Sequence, residues 1–386
     1  MPRTPRVPAL DREILRLAVP ALGALVAEPL FVLSDSAVVG TLGVLPLAAL
    51  GLAATVLGTL VGLCVFLAYA TTAAVARRTG AGDPVGALRQ GLDGVWLAIG
   101  LGLLLLVALE TTAPDLVHWL GASAQVQPFA ITYLRVSALG LPAMLVVLAA
   151  TGVLRGRQDT RTPLVVAVTA AVVNLALCLL FVLGLGFGVA GSAWATVTAQ
   201  TGAALVYRLL LVRAARGLGA PLRPDRAGVR RSASTSVPLF VRTVALRAVF
   251  VTGTAVAARI GAAELATNQV SMQTWYLLAL AMDALAIAGQ AIVGRQLGAT
   301  DAAAARATTR RLLGWSVGAG VMLGALLLAV RPAFVLLFTG DRPCGRCCPR
   351  PSSWWRCTSG WPARCSSSTA SSSGQGTGAT WPGPSW

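Results

Sequence analysis

The chain has 386 residues, 56% of them hydrophobic and only 12% charged, against roughly 25% charged in a soluble domain. Its 31 cations and 14 acids leave a formal net charge of +17. Every cation is Arg, and the arginines sit between apolar runs rather than on one face, so the charge reads as membrane-protein loops and excludes a nucleic-acid-binding protein. No G-x-x-x-x-G-K-[ST] run occurs, which leaves ATP-driven chemistry without support. The one histidine, His118, falls in a predicted external loop, so a histidine metal site is not expected.

Membrane spans of about 20 apolar residues are predicted at 14–39, 45–73, 91–112, 129–153, 163–184, 188–213, 236–258, 265–292 and 311–331. The first is too long for a cleaved signal peptide and has no small-residue cleavage site after it. Gly80-Ala81-Gly82-Asp83-Pro84, Thr162-Pro163 and Gly184-Leu185-Gly186-Phe187-Gly188 supply turn and cap chemistry at the breaks. Loop charge alternates strictly. Arg3, Arg6, Arg12 and Arg16 precede span 1; Arg77, Arg78 and Arg89 follow span 2; Arg155, Arg157 and Arg161 follow span 4; seven arginines from Arg208 to Arg231 follow span 6; Arg295, Arg306, Arg310 and Arg311 follow span 8. The loops between are nearly bare. The N-terminus and the loop at about 213–235 are therefore expected on the cytoplasmic side of a bacterial-type inner membrane.

An internal repeat underlies this order. Positions 37–83 match positions 255–301 without a gap at 15 of 47 places, and the matches include Gly43/Gly261, Arg77/Arg295, Gly80/Gly298 and Asp83/Asp301. Spans 1–2 thus correspond to spans 7–8. Six spans separate the copies, so both halves have one orientation, the parallel arrangement of transporters whose halves rock about a shared site. The expected fold is an all-α polytopic membrane protein of two pseudo-repeated six-helix lobes, the second truncated after about three helices. Residues 1–212 form the first lobe, 213–235 the inter-lobe loop and 236–341 the incomplete second lobe.

After Asp341 the composition changes. From Arg342 to Trp386 there is no Leu, Val, Ile, Met, Phe, Asp or Glu, while five of the seven cysteines lie there. Cys344-x-x-Cys347 with Cys357 and Cys365 admits a zinc reading, and the Ser-rich stretch a linker reading. A frame-shifted translation accounts for both, because Leu and Val codons of a GC-rich gene read one base later give Cys, Trp and Ser. Residues 342–386 are accordingly expected to be a disordered tail without a site.

Ionisable residues inside spans are costly and mark function. Asp35 lies deep in span 1 between Ser34 and Ser36, with Glu28 two helical turns earlier on the same face and Pro20 and Pro29 in the same span. One reading makes Asp35 a structural carboxylate hydrogen-bonded within the bundle; the other makes it a carboxylate that binds and releases H⁺ or Na⁺ during transport. Asp283 is also mid-span, with Arg247 as a partner from the preceding span, in either a paired structural role or a substrate or gating role. Asp93 and Glu110 sit near span ends. Asn174, Thr196, Thr198 and Gln200 are neutral polar groups in spans 5 and 6, and Gln290 follows Asp283 by two turns.

Three stretches carry a specific likeness: Ala27-Glu28-Pro29-Leu30 running into Leu33-Ser34-Asp35-Ser36-Ala37-Val38-Val39-Gly40, then Gly152-Val153-Leu154-Arg155-Gly156-Arg157-Gln158-Asp159-Thr160-Arg161-Thr162-Pro163, then Asp283-Ala284-Leu285-Ala286-Ile287-Ala288-Gly289-Gln290. In these the chain resembles the multidrug and toxic compound extrusion (MATE) transporters, in their DNA-damage-inducible F-like branch, from about residue 12 to 341. The resemblance implies twelve helices in two lobes and export of amphipathic, often cationic, compounds driven by inward H⁺ or Na⁺ flow, with no enzyme activity, no organic cofactor and a monomer in the bilayer. It implies a first-lobe cation site at Asp35, Asn174 and Thr196, with Glu28 near it. The second acid that some members place one turn after the Asn is Cys178 here, which leans toward H⁺. The alternatives are a lipid-linked oligosaccharide flippase of the same superfamily, which needs a cationic central cavity, and a non-functional truncated gene product.

Overall fold

The computed structural model describes residues 7–338, and all regular structure among the described residues is helical. Helix α1 spans Val7–Gly40 and contains Pro20 and Pro29. Helices α2 (Val44–Cys64) and α3 (Phe66–Gly80) follow each other across Val65 and form one long apolar stretch. Helix α4 spans Pro84–Trp119. Asp83 caps its first turn by accepting from the Gly86 N–H at 2.7 Å, and Arg78 pairs with the same carboxylate at 3.0 Å. The amide bond and then the guanidinium hold this carboxyl below its usual range. A depressed folded-state value means the cap contributes at neutral pH and is lost as pH falls through that lowered value.

Helices α5 (Gln127–Ala138) and α6 (Leu141–Gly156) meet at a 49° bend, where Pro142 cannot continue the hydrogen-bond ladder of α5. Helix α7 (Arg161–Cys178) starts under the Asp159 carboxylate, which accepts from the Arg161 and Thr162 N–H groups, and ends in a π-helical turn at Leu179–Gly184. Helix α8 spans Gly188–Leu218 and stops at Gly219, whose φ of +67° is the left-handed cap that glycine adopts without a Cβ clash. Helices α9 (Arg226–Ile260), α10 (Ala262–Gly298) and α11 (Ala302–Phe338) complete the described chain.

Eight of these segments are long and apolar enough to cross a membrane, and the bent α5–α6 pair makes nine. They match the nine predicted spans in order. The helices overshoot the apolar windows, because backbone hydrogen bonding continues into the polar region where arginines reach water. The expected loop at 213–235 shrinks accordingly. Gly219 closes α8 and the Asp225 carboxylate opens α9 by accepting from the Ala227 N–H, so 219–225 alone connects them. The expected tail at 342–386 lies outside the described residues.

The cation-rich segments gather on one face. Arg89 of α4 pairs with Asp225 at 2.9 Å. Arg295 of α10 pairs with Glu13 of α1 at 2.8 Å and donates to Gln158 at the end of α6. Arg311 of α11 donates two bonds to Asp11 of α1. The lobes meet where α3 crosses α10. A Cβ on Gly80 would collide with the Arg295 carbonyl, and one on Gly298 with the Arg77 carbonyl. Each repeat-related glycine thus faces the repeat-related arginine of the other lobe, a two-fold crossing within one chain. Leu10, Ile14, Leu17 and Ala18 of α1 pack on Ala288, Ala291 and Ile292 of α10 beside it.

Candidate functional site: the buried carboxylate of the first helix

Asp35 is 4% exposed, and the groups around it all come from the first lobe. Its Oδ1 accepts from the Ser192 hydroxyl of α8 at 2.6 Å and from the Cys178 thiol at the end of α7 at 3.2 Å; its Oδ2 accepts from the Tyr133 hydroxyl of α5 at 3.3 Å. The flanking serines do not serve it, since Ser34 and Ser36 donate to the α1 carbonyls of Phe31 and Val32. Two local devices bring the donors in. The π-helical turn after Cys178 packs Val182 with Val38 of α1 and Ala195 of α8, an element that recurs at functional sites. Gly191 lies against the Phe181 backbone with no room for a Cβ, so α8 approaches close enough for Ser192 to reach the carboxylate.

A second layer adjoins the first. Asn174, fully buried and one turn before Cys178, donates to the Thr196 hydroxyl at 3.2 Å, and Thr196 is one turn after Ser192. The Asn174 Oδ1 is buried without a partner. The Tyr133 hydroxyl neighbours Asp35, Ser192 and Thr196 and so joins the two layers. Among the described residues no cation pairs with Asp35. The site is a buried carboxylate held by neutral donors, next to an unused amide oxygen. Burying a carboxylate without a counter-charge is expensive, and the three donors offset that cost here.

The other expected residues fall elsewhere. Glu28 shares the α1 face of Asp35 by spacing, yet it is exposed and makes no hydrogen bond or ion pair among the described residues. Gln200 lies one turn past Thr196, half-buried and outside both layers. The pairing of Asp283 with Arg247 is corrected. The α9 register turns Arg247 onto Gly62 of α2, where a Cβ would strike its guanidinium, and the cations facing Asp283 are Arg242 and Arg155. Arg155 is 8% exposed with an unpartnered Nε, and Tyr69 and Tyr207 are beside it. Gln290 has a buried Oε1 without a partner. Asp93 packs against the backbone at Gly228, where α9 begins, and Glu110 lies 3.9 Å from Arg135. Sequence reasoning missed Tyr133 and Ser192 as site residues. The signal for Ser192 was its i, i+4 spacing to Thr196 and Gln200 on one helical stripe.

A family model, MatE, matches residues 20–180 and 238–345 of the chain. The chloroplastic Protein DETOXIFICATION 44 of Arabidopsis thaliana is 31% identical over 349 residues, covering 87% of this chain and 67% of the relative. DNA damage-inducible protein F of Escherichia coli K12 is 33% identical over 298 residues, covering 75% and 64%. The chain spans about two thirds of the length of these curated relatives. Among solved structures, a MATE protein in a bent conformation superposes with a TM-score of 0.78 at 22% identity, over 87% of this chain and 76% of that one. A transporter of the MOP superfamily from Pyrococcus furiosus gives 0.76 at 23% identity, over 86% and 75%. At these identities the superpositions establish the fold. The family match and the relatives establish more: this chain belongs to the MatE family of multi-pass membrane transporters.

Proposed function

We propose that the protein is a secondary-active antiporter that exports amphipathic compounds in exchange for H⁺, with Asp35 as the group that takes up and releases the ion. The observation that carries this reading is the Asp35 carboxylate itself, 4% exposed, with three neutral donors and no cation. A permanently charged group there would lack compensation, and a permanently neutral one would waste three donors aimed at it. Both costs are met by a group that changes state as the lobes move. Na⁺ is the weaker candidate. The unpartnered Asn174 Oδ1 offers it an oxygen, but the position next along α7 presents the thiol of Cys178, and a hard cation prefers oxygen. The transport reading places the protein in a bacterial-type inner membrane with its N-terminus cytoplasmic, as a monomer.

A substrate with an anionic headgroup is a second reading, and one observation favours it. The guanidinium of Arg155, buried with a free Nε, and that of Arg242 face a single acid, Asp283, between the lobes. A flippase for lipid-linked sugars would need such cations.

The test is growth tolerance to ethidium and to an anionic dye in cells expressing the protein, with Asp35→Asn as the variant. Raised tolerance to ethidium that the variant loses at equal membrane abundance supports the antiporter. Equal tolerance in both removes the coupling role of Asp35. Tolerance to neither dye would count against both transport readings.

A further inference from the structure

Helix α9 has two unlike faces at its cation-rich end. One is bolted to α4: Arg89 pairs with Asp225 at 2.9 Å, the Asp93 carboxylate abuts Gly228, the Trp96 indole donates to the Leu222 carbonyl at 3.2 Å, and Ser236 is buried. Turned away from α4, Arg226, Ala227, Arg230 and Ser234, with Arg231 at the edge nearer Asp93, line an open recess of about 580 Å³. None of the three arginines is in an ion pair among the described residues.

The recess continues into an apolar stripe. At 100° per residue, Arg226, Arg230, Ser234, Val237, Val241 and Val244 fall within an arc of about 80°. The valines are 54%, 57% and 40% exposed. From Arg230 to Val244 the stripe runs about 21 Å at 1.5 Å per residue, somewhat more than one leaflet of a hydrocarbon core about 30 Å thick. A surface with unpaired cations at the membrane boundary and an uncovered apolar track directly beneath has the layout of a two-part amphiphile with a negative head.

We propose that this stripe of α9 binds an anionic phospholipid from the leaflet on the cation-rich side, its phosphate on Arg226 and Arg230 and one acyl chain along Val237, Val241 and Val244. The choice of occupant rests on charge complementarity. A zwitterionic lipid leaves two guanidiniums without net counter-charge, and a protein helix would have to bring acids to the recess and apolar residues to the track at once. Arg231 is turned about 60° off the stripe and contributes to the field rather than to the seat. The site is independent of the transport reading, since it needs only insertion in a bilayer.

The experiment uses the full chain purified in detergent, with a fluorescent phosphatidylglycerol as probe and unlabelled phosphatidylglycerol or phosphatidylcholine as competitor. Phosphatidylglycerol should displace the probe and phosphatidylcholine should not. Each arginine near a surface phosphate contributes about fivefold, so R226Q/R230Q should weaken binding about twenty-five-fold, and raising salt should weaken the parent likewise. R208Q/R213Q removes the same charge from exposed positions of α8 and should leave binding unchanged; both variants should elute and fluoresce as the parent does. V237T/V241T should weaken the probe without restoring competition by phosphatidylcholine. Equal losses in both arginine pairs would show net surface charge alone and overturn the proposal. So would full competition by phosphatidylcholine, or a doubled mass by light scattering with no probe bound, which would give the face to a second copy.

Discussion

At Asp35 the cost of burial decides the chemistry. On the proposed reading, this buried carboxylate, with three neutral donors and no ion-pair partner among the described residues, exchanges its ion as the lobes change state. Asp35→Asn keeps the size, and its amide oxygen can still accept from Ser192 and Cys178; it loses an acceptor and cannot exchange a proton, so export driven by a pH gradient in proteoliposomes should fall to background while the protein stays folded. Removing the shortest bond, with Ser192→Ala, deletes a charge-assisted contact worth about 1.5–3 kcal/mol, and the export rate should fall at least about tenfold under the same gradient. Cys178→Asp replaces the thiol at 3.2 Å by a second carboxylate beside the unpartnered Asn174 oxygen. Transport by that variant should become stimulated by Na⁺, which a Na⁺ titration at fixed pH measures. Asp35 could be picked out in the sequence because an acid inside a span stands out against Leu and Val, whereas Asn174 and Thr196 read as ordinary polar groups and entered through the family resemblance. Tyr133 gave no signal and Ser192 only its spacing to Thr196, because a hydroxyl in a span is ordinary until the packing of α5 and α8 shows what it touches.

Two elements control how the lobes meet. The start of α1 reaches across to the second lobe twice, with Glu13 on Arg295 and Asp11 on Arg311, the latter joined by the Trp315 indole at 3.0 Å. Below these, α3 and α10 cross with Gly80 and Gly298 against carbonyls of the other lobe. Any state that opens this face must break both sets of contacts. Gly298→Val puts two methyl groups where the Arg77 carbonyl lies, and because the obstacle is backbone the helices must part; stability should fall by about 1–3 kcal/mol, read as a lower melting temperature. Arg295→Gln breaks a half-exposed pair worth at most about 1 kcal/mol, so it should leave melting nearly unchanged and only raise labelling of a cysteine placed at the half-buried Gln296. The repeat was legible from Arg77/Arg295 and Gly80/Gly298 because those pairs are not Ala or Leu. That the two copies touch was not, since an offset reports equivalence and not contact. The helix ends were also misjudged by several residues, as apolar windows measure the hydrocarbon core and Asp83, Asp225 and Gly219 set where helices actually begin and stop.

For the whole molecule the controlling quantity is the distribution of arginine. Alternating loops predict the order and orientation of nine spans, and the same segments are drawn together by Arg89–Asp225, Arg295–Glu13 and Arg311–Asp11 on one face. Charge asymmetry and tertiary contact are independent observations, and a single spurious span would have put alternate segments on opposite faces. The positive-inside rule then assigns that face to the cytoplasm. In a variant without native cysteines, single cysteines at Gly82 and at the exposed Arg223 should react with a membrane-impermeant maleimide only after cells are opened, while cysteines at Gly43 and Gly121 should react in intact cells. The four positions test the argument jointly. If all four invert, the spans are right and the charge rule failed. If Gly82 and Arg223 differ from each other, an odd number of crossings separates α3 from α9, and the repeat, the alternation and the two-lobe architecture fall together.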